Sequence, residues 1–285
     1  MNIELECVEC IINQSRRVAD AIHADGQLSD ELTDTVKAMS SDFSFEQSPP
    51  EVASPVYEKM AEIASKEDLY DEVKALSTQK AQSFIPVLHE VIAASDDKLL
   101  SAVKIAVAGN VIDLAAEVTF DLHEEVEKID ETDFALNDFE QLRSSLQQAK
   151  TLLYIGDNVG EHIFDYLCIE TVKILFPELE IYYMVRGCAI INDVTMKEAK
   201  EAGFEQLCHL VDSGVNTPGF VYERANEQSQ KLFDEADLVI TKGMGNYECL
   251  SPSHRGGLCY LLKVKCRVVA GSLQKEVGDI VCKMV

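Results

Sequence analysis

The chain has 285 residues, 50 acidic against 25 basic, for a formal net charge of −25. A field of that sign repels nucleic acid and anionic membrane, so neither is expected as a partner. No apolar run approaches the roughly 18–20 residues of a membrane span. The N-terminus lacks a basic region followed by an apolar core, so no secretory signal is expected. Nine cysteines, an odd number spread along the chain, fit reduced thiols and a cytoplasmic setting.

Residues 1–148 read as almost entirely helical. Helices are predicted over Glu6–His23 and Ser29–Met39, the second with Ser29 as its N-cap. A break is expected over Ser44–Pro55, with Pro55 in the first turn of a helix that continues through Tyr57, Met60, Ile63 and Ala64. Tyr70–Ala94 follows, and Pro86 inside it marks a kink or boundary. The helix predicted over Lys98–Leu122 buries Leu100, Val103, Val107, Val111, Leu114 and Val118. Asn110 shares that inward face, and Asp113 and Glu117 run beside it. A polar residue there needs a partner or a ligand, and taken alone Asn110 is explained better by a bond to neighbouring backbone than by a ligand. Glu140–Ala149 is the last helix before the sheet.

Leu152, Leu153, Tyr154 and Ile155 form an uninterrupted apolar run, the mark of a strand buried on both faces. Gly156 ends it, Asp157 and Asn158 follow, and after Gly160 a helical stripe begins with Phe164, Leu167, Cys168, Thr171, Val172 and Leu175. Three later stretches share this grammar. Glu180–Val185 runs into Arg186-Gly187 and then Ile191-Asn192-Asp193; Gln206–Val211 runs into Asp212-Ser213-Gly214; Ala236–Thr241 runs into a loop, Lys242-Gly243-Met244-Gly245-Asn246-Tyr247-Glu248. Right-handed strand–helix–strand units put all four ends on one edge of a parallel sheet, where ligands bind. Gly257–Val264 and Gly278–Met284 supply two more strands, with Arg267–Ser272 irregular or a short strand between them. The expected organisation is α/β: a helical N-terminal subdomain over 1–97 and an α/β domain over 98–285, with the helix 98–122 across the cleft.

Asp157, Asn158 and Asp193 supply oxygen donors, which suit Mg²⁺ or Mn²⁺ better than zinc. Lys242, beside the small residues Gly243 and Gly245, suits a phosphate, and Arg186 could add a two-pronged contact. Together these groups point to hydrolysis or transfer at a phosphoryl centre, with a metal polarising the phosphoryl group. The Lys242-Gly243 stretch is not a P-loop, because its order and spacing differ. Val159 stands where aspartyl-phosphate phosphatases have a second Asp, which weakens Asp157 as a covalent nucleophile. Cys7 and Cys10 share a helix face and read as small apolar packing groups. His162 reads as a cap or surface residue.

In their order, Gly109-Asn110-Val111-Ile112-Asp113, Gly156-Asp157-Asn158-Val159-Gly160-Glu161, Arg186-Gly187 with Ile191-Asn192-Asp193-Val194-Thr195, Asp212-Ser213-Gly214 and Lys242-Gly243-Met244-Gly245-Asn246-Tyr247-Glu248 make a set. With them the sequence resembles the metal-dependent damage-control phosphatases, known as domain of unknown function 89. It is most similar to the stand-alone prokaryotic branch, which also carries an N-terminal Cys-x-x-Cys. The resemblance implies a three-layer α/β/α sandwich and a divalent metal (Mn²⁺, Mg²⁺, Co²⁺ or Ni²⁺) on Asp157, Asn158 and Asp193. It implies Lys242 on phosphate, with Asp157 and Asp193 as its catalytic companions. It further implies that Asn110, Asp113, Glu161, Arg186, Ser213, Gly214, Gly245, Asn246 and Glu248 bind substrate, a small phosphorylated metabolite such as a sugar phosphate. Ser54-Pro55 departs from the acidic residue that relatives often have before this Pro. The alternatives are an S-adenosylmethionine-dependent carboxyl methyltransferase, against which stands the lack of a strand followed by Gly-x-Gly, and a non-enzymatic phosphometabolite-binding protein. None of these readings sets an oligomeric state.

Overall fold

The computed structural model describes residues 1–109, 132–253 and 255–285. Its strands are β1 (Leu136–Asn137), β2 (Thr151–Ile155), β3 (Glu180–Val185), β4 (His209–Asp212), β5 (Leu238–Lys242), β6 (Leu258–Lys263) and β7 (Ile280–Met284). They form one sheet in the order β1-β7-β6-β5-β2-β3-β4. Only β6 and β7 pair antiparallel; the other neighbours are parallel. The chain steps outward from β2 to β3 and β4, then returns to β5 on the other side of β2. The crevice between β2 and β5 is therefore the topological switch point, where open α/β sheets bind ligands.

Helices α1 (Leu5–Ala21), α2 (Gly26–Met39), α3 (Pro49–Ala64), α4 (Asp71–Ala94) and α5 (Lys98–Ala108) precede the sheet. Within it come α6 (Phe139–Gln148), α7 (Glu161–Leu175), α8 (Met196–Glu201), α9 (Glu227–Glu235), α10 (Gly243–Leu250) and α11 (Arg267–Leu273). Leu152 and Tyr154 of β2 face one core, shared with Phe84 of α4, Val103 of α5, Leu142 of α6 and Phe164 of α7. Leu153 and Ile155 face the other, shared with Phe233, Tyr247 and Val269 of α9, α10 and α11. Helices on both faces explain why β2 reads as a continuous apolar run. A third core joins α1, α2 and α3 through Val18, Leu32, Val36, Val56 and Met60, and Ile190 and Val268 of the sheet unit enter it.

That division differs from the boundary expected at 97/98. Helix α4 packs on α7 within the sheet's own core, so α1–α3 alone form the separate helical unit. Other expectations are corrected by local chemistry. Asp25, not Ser29, caps α2, its carboxylate accepting Leu28 N–H at 2.9 Å. The break before α3 ends at Pro49, because Pro49 and Pro50 occupy the first turn, where a missing N–H costs no bond. Pro55 then lies inside α3, and Pro86 inside an unbroken α4. Residues Arg267–Leu273 are helical, with the Cys266 sulfur accepting Val269 N–H at 3.4 Å. The third predicted strand starts later, at His209, after a short 3₁₀ turn at Phe204–Gln206. Leu175 ends α7 at the surface rather than in its stripe. The segment 110–131, which holds most of the predicted roofing helix, lies outside the described residues. Among those described, no helix is long and apolar enough to cross a membrane.

Helix α3 starts on a capping arrangement in which Glu51 accepts Ser48 N–H at 2.9 Å and Ser48 O–H at 2.7 Å. Glu51→Ala strips both donors of their acceptor and is expected to cost about 1 kcal/mol, read as a lower midpoint in denaturant unfolding.

Candidate active site

Two hydrogen bonds bring the β2 end against the segment after β3: Val194 N–H to Asp157 O at 2.8 Å, and Val159 N–H to Asn192 O at 2.7 Å. A backbone bridge pairs Asn158 with Asp193 between them. Asp157, Asn158 and Asp193, far apart in sequence, therefore meet at the switch point. The Asn158 amide donates to Asp157 Oδ2 at 2.8 Å and to Glu161 Oε1 at 3.1 Å, which leaves its carbonyl as the acceptor end.

Arg186 is the buried cation behind them. Its Nε donates to Asp193 Oδ2 at 2.7 Å and its Nη2 to Asn246 Oδ1 at 3.1 Å, with Asp157 Oδ1 at 3.9 Å. Nη1 is buried and has no hydrogen-bond partner among the described residues. Asn246 also accepts Phe220 N–H at 2.8 Å and donates to Lys242 O at 2.7 Å and Gly156 O at 3.1 Å. These bonds tie the ends of β2, β3 and β5 together.

Lys242 lies at the end of β5 with its ammonium turned inward. It donates to Ala106 O at 2.6 Å and Asp165 Oδ1 at 2.7 Å, with Glu161 Oε2 at 3.8 Å. Burial disfavours its charge, but Asp165 and Glu161 more than offset that and raise its pKa. Asp165 also accepts the Tyr154 and Tyr183 hydroxyls at 2.7 and 3.2 Å.

A cleft of about 380 Å³ opens over Asp157, Asn158 and Asp193. Helices α1 and α3 give one wall, with Cys7, Cys10, Arg17 and Tyr57; α10 and the segment before α11 give the other, with Gly245, Glu248 and Lys265. The carboxylates around this floor carry more negative charge than their resident cations offset. Burial, opposed by Arg186 and reinforced by Asp157, pushes Asp193 up to about 7. Burial and Asp157 push Glu161 up to about 7 and Glu248 up to about 8. Two carboxylates and an amide carbonyl in this setting are hard donors that fit Mg²⁺ or Mn²⁺. Among the described residues no three His, Cys, Asp or Glu side chains are arranged as a metal site, so a metal here depends on Asn158.

Of the residues singled out from sequence, Asp157, Asn158, Asp193, Gly245 and Glu248 line the cleft, and Glu161 sits on its Asn158 side. Arg186, Lys242 and Asn246 stand behind it, their polar atoms, Arg186 Nη1 excepted, turned to protein partners. Ser213 and Gly214 lie lower still: the Ser213 hydroxyl accepts Val215 N–H at 3.3 Å, and Gly214 packs against Gly187. The expected loop after Lys242 is instead the first turn of α10. Asn110 and Asp113 fall outside the described residues. Sequence reasoning missed Arg17, Tyr57, Lys265 and Asp165. Asp165, a lone acid beside Phe164 in an apolar helix, carried a readable signal; the other three did not.

His162 is no surface residue. It is fully buried, its Nδ1 accepts Gly160 N–H at 2.9 Å, and its Nε2 has no partner among the described residues. Burial lowers its pKa from 6.5 to about 4. A folded value below the unfolded one means that the unfolded chain takes up the proton first. This group's stability is therefore whole above about 6.5 and lost progressively as the pH falls to about 4. The full loss is roughly 3 kcal/mol at ~1.4 kcal/mol per pKa unit. The raised carboxylates act with the opposite sign but are common to both proteins in a comparison. His162→Gln should therefore show a shallower fall in denaturant midpoint across that window than the parent.

Gly243 has φ +77°, and a Cβ there would stand 1.9 Å from Asp157 Oδ2. Gly243→Ala is expected to cost about 1–3 kcal/mol from the backbone conformation alone and to drive Asp157 from its place. A lower thermal midpoint with loss of divalent-ion binding by calorimetry is the expected pair of readings.

A profile of the damage-control phosphatase ARMT1-like domain matches residues 3–281. A damage-control phosphatase of Pyrococcus horikoshii is 30% identical over 284 residues, 99% of this chain and 98% of that protein. One from Archaeoglobus fulgidus is 29% identical over 291 residues, covering 100% of both. An uncharacterised protein of Methanocaldococcus jannaschii is 31% identical over 98% of this chain and 94% of its own. The crystal structure of a Pyrococcus horikoshii protein of the domain of unknown function 89 family superposes with TM-score 0.93 at 29% identity, covering 100% of this chain and 99% of that one.

Proposed function

For this chain, which belongs to the damage-control phosphatase ARMT1-like family, we propose hydrolysis of a small phosphorylated metabolite with the aid of a divalent metal. The observation that carries the reading is the convergence of Asp157, Asn158 and Asp193 on the cleft floor at the switch point, over a buried guanidinium with a donor to spare. Asp157, Asn158 and Asp193 would hold Mn²⁺, Mg²⁺, Co²⁺ or Ni²⁺. When bound, such a cation polarises a phosphoryl oxygen and lowers the pKa of water.

The protein's own groups supply position and charge. Arg186 fixes the Asp193 carboxylate through Nε, and an anion brought to Asp157 and Asp193 offers its Nη1 an acceptor. Lys242 holds Asp165 and Glu161 from behind and is a positioning residue in this reading, not a phosphate contact. Asn158 bridges Asp157 and Glu161 by donating to both. The half-closed cleft, with α1 and α3 over it, limits water around the scissile ester. A cytosolic setting belongs to the same proposal and rests on nine cysteines that are all free thiols.

The test is phosphate release from p-nitrophenyl phosphate by purified protein with each of the four metals. Activity should appear with at least one metal. Asp157→Asn and Asp193→Asn should each lower it about a hundredfold or more with unchanged circular dichroism. Undiminished turnover in both variants overturns the metal assignment. Ligand-dependent stabilisation without phosphate release from any phosphorylated metabolite indicates a binding protein.

A further inference from the structure

We propose that Lys74, on helix α4 and outside the cleft, is a positioning residue for the metal site: with Asp68 it holds Glu198, and through Glu198 and Thr195 it fixes the turn that presents Asp193. The proposal rests on the phosphatase reading for the role that Asp193 has there.

Local rules do not favour a lysine at position 74. It stands in the first turn of α4, where the helix dipole suits anions and disfavours an ammonium. Beside Asp71 and Glu72 it reads in the sequence as part of a solvated charged face. The fold buries it instead, with 4% of its side chain exposed. An ammonium persists in such a place only against fixed acceptors. Its Nζ donates to Asp68 Oδ2 at 2.8 Å and lies 3.7 Å from Glu198 Oε1. Asp68 is itself held, its Oδ1 accepting Tyr70 N–H at 2.9 Å.

Glu198 carries the connection onward from α4 to α8. Its Oε2 accepts Thr195 N–H at 3.0 Å and the Thr195 hydroxyl at 2.5 Å, the capping arrangement that starts α8. Burial opposes the charge on Glu198, but the Thr195 hydroxyl and Lys74 outweigh it and hold the carboxyl below its usual range. Thr195 pairs with Arg186 through a backbone bridge. Between them Arg186 N–H donates to Val194 O at 3.0 Å, and Val194 N–H to Asp157 O at 2.8 Å. Asp193 is thus the free end of a strap whose far anchor is Lys74.

The surroundings explain why a polar strap is needed. Behind the turn lies a second cavity of about 590 Å³, lined in part by Asp68, Ile190, Thr195 and Glu198. Tyr57 and Ile191 line both this cavity and the cleft, so they form the partition between the two. A turn with a cavity at its back has fewer apolar contacts than one set in a filled core. Ion pairing and capping take their place.

The experiment uses the full chain and Mn²⁺. Lys74→Met keeps the stem and removes the charge; its Mn²⁺ dissociation constant by calorimetry should rise roughly tenfold, with kcat at saturating Mn²⁺ like that of the parent. Lys74→Arg should retain most of the affinity, and Lys200→Met, at an exposed lysine of α8, should match the parent. Glu198→Gln should also weaken Mn²⁺, and the double variant Lys74→Met/Glu198→Gln should be no weaker than the worse single one, since both residues act in one chain of contacts. Amide hydrogen exchange separates this role from general loosening. At Val194 and Thr195 it should quicken roughly tenfold in Lys74→Met, while Leu153 and Tyr154 of β2 keep the parent rate. Parent Mn²⁺ affinity in folded Lys74→Met, or quickening in β2 as large as at Val194, overturns the proposal. If Lys74→Met does not fold, Glu198→Gln decides by the same two readings. Calorimetry decides Lys74 whether or not phosphate is released. Should the parent bind no divalent cation, the phosphatase reading fails, and exchange at Val194 and Thr195 decides alone: quickening upholds the role of Lys74 in holding the turn, and the parent rate removes it.

Discussion

A guanidinium shut away from water has to be matched by acceptors that do not move, and Arg186 sets where three strand ends stand. It bonds Asp193 after β3 and Asn246 in α10, and Asn246 in turn holds the carbonyls that follow β2 and end β5. Losing one partner of a buried pair of this kind costs about 3–5 kcal/mol, because the other charge is left stranded. The pair does little for net stability by itself. Its effect is register: with Arg186 in place, Asp157 and Asp193 face the same cleft instead of relaxing apart.

Positive charge in this chain is scarce, and it is used in two ways. Arg186 and Lys242 are spent inside, one paired with Asp193 and the other with Asp165, where a buried carboxylate without a partner would be costly. Arg17 and Lys265 stay at the surface of the cleft. A protein with net charge −25 repels anions at a distance, so an anionic substrate must be attracted locally. The raised pKa values of Asp193, Glu161 and Glu248 report the same imbalance from the floor. Internal cations cover only part of the carboxylate charge there, which is the electrostatic condition for a divalent ion.

Half of the cleft is supplied by the N-terminal helices. Helix α3 packs on α10, and Ile190 and Val268 from the sheet unit enter the core of α1–α3. The two units meet through apolar side chains, and the polar site lies at the seam. Ile191, next to Asn192 and Asp193, takes φ +46° at that seam, a conformation β-branched residues avoid. Packing around it holds the turn that delivers Asp193.

Legible in the sequence were six of the seven described strands, all but the short β1, with their mainly parallel arrangement and the identity of the residues at their ends. Continuous apolar runs such as Leu152–Ile155 can be satisfied only between two layers of helices, and glycine with Asp or Asn after each run marks where the chain turns. Local signals were weaker for helix starts: Asp25 and Ser29 are both good caps, and only side-chain geometry selects between them. Tertiary structure decided what each polar end does. Lys242, Asn246 and Ser213 stood at the right edge yet turned inward, because a buried Asp165, an Arg186 and an unpaired backbone N–H needed partners there. Arg17 and Lys265 carried no pattern, since a charge on a helix face or before a helix reads as solvated wherever it stands. Their place beside Asp157 follows from the packing of α1–α3 on the sheet edge, a contact between distant segments that no spacing encodes.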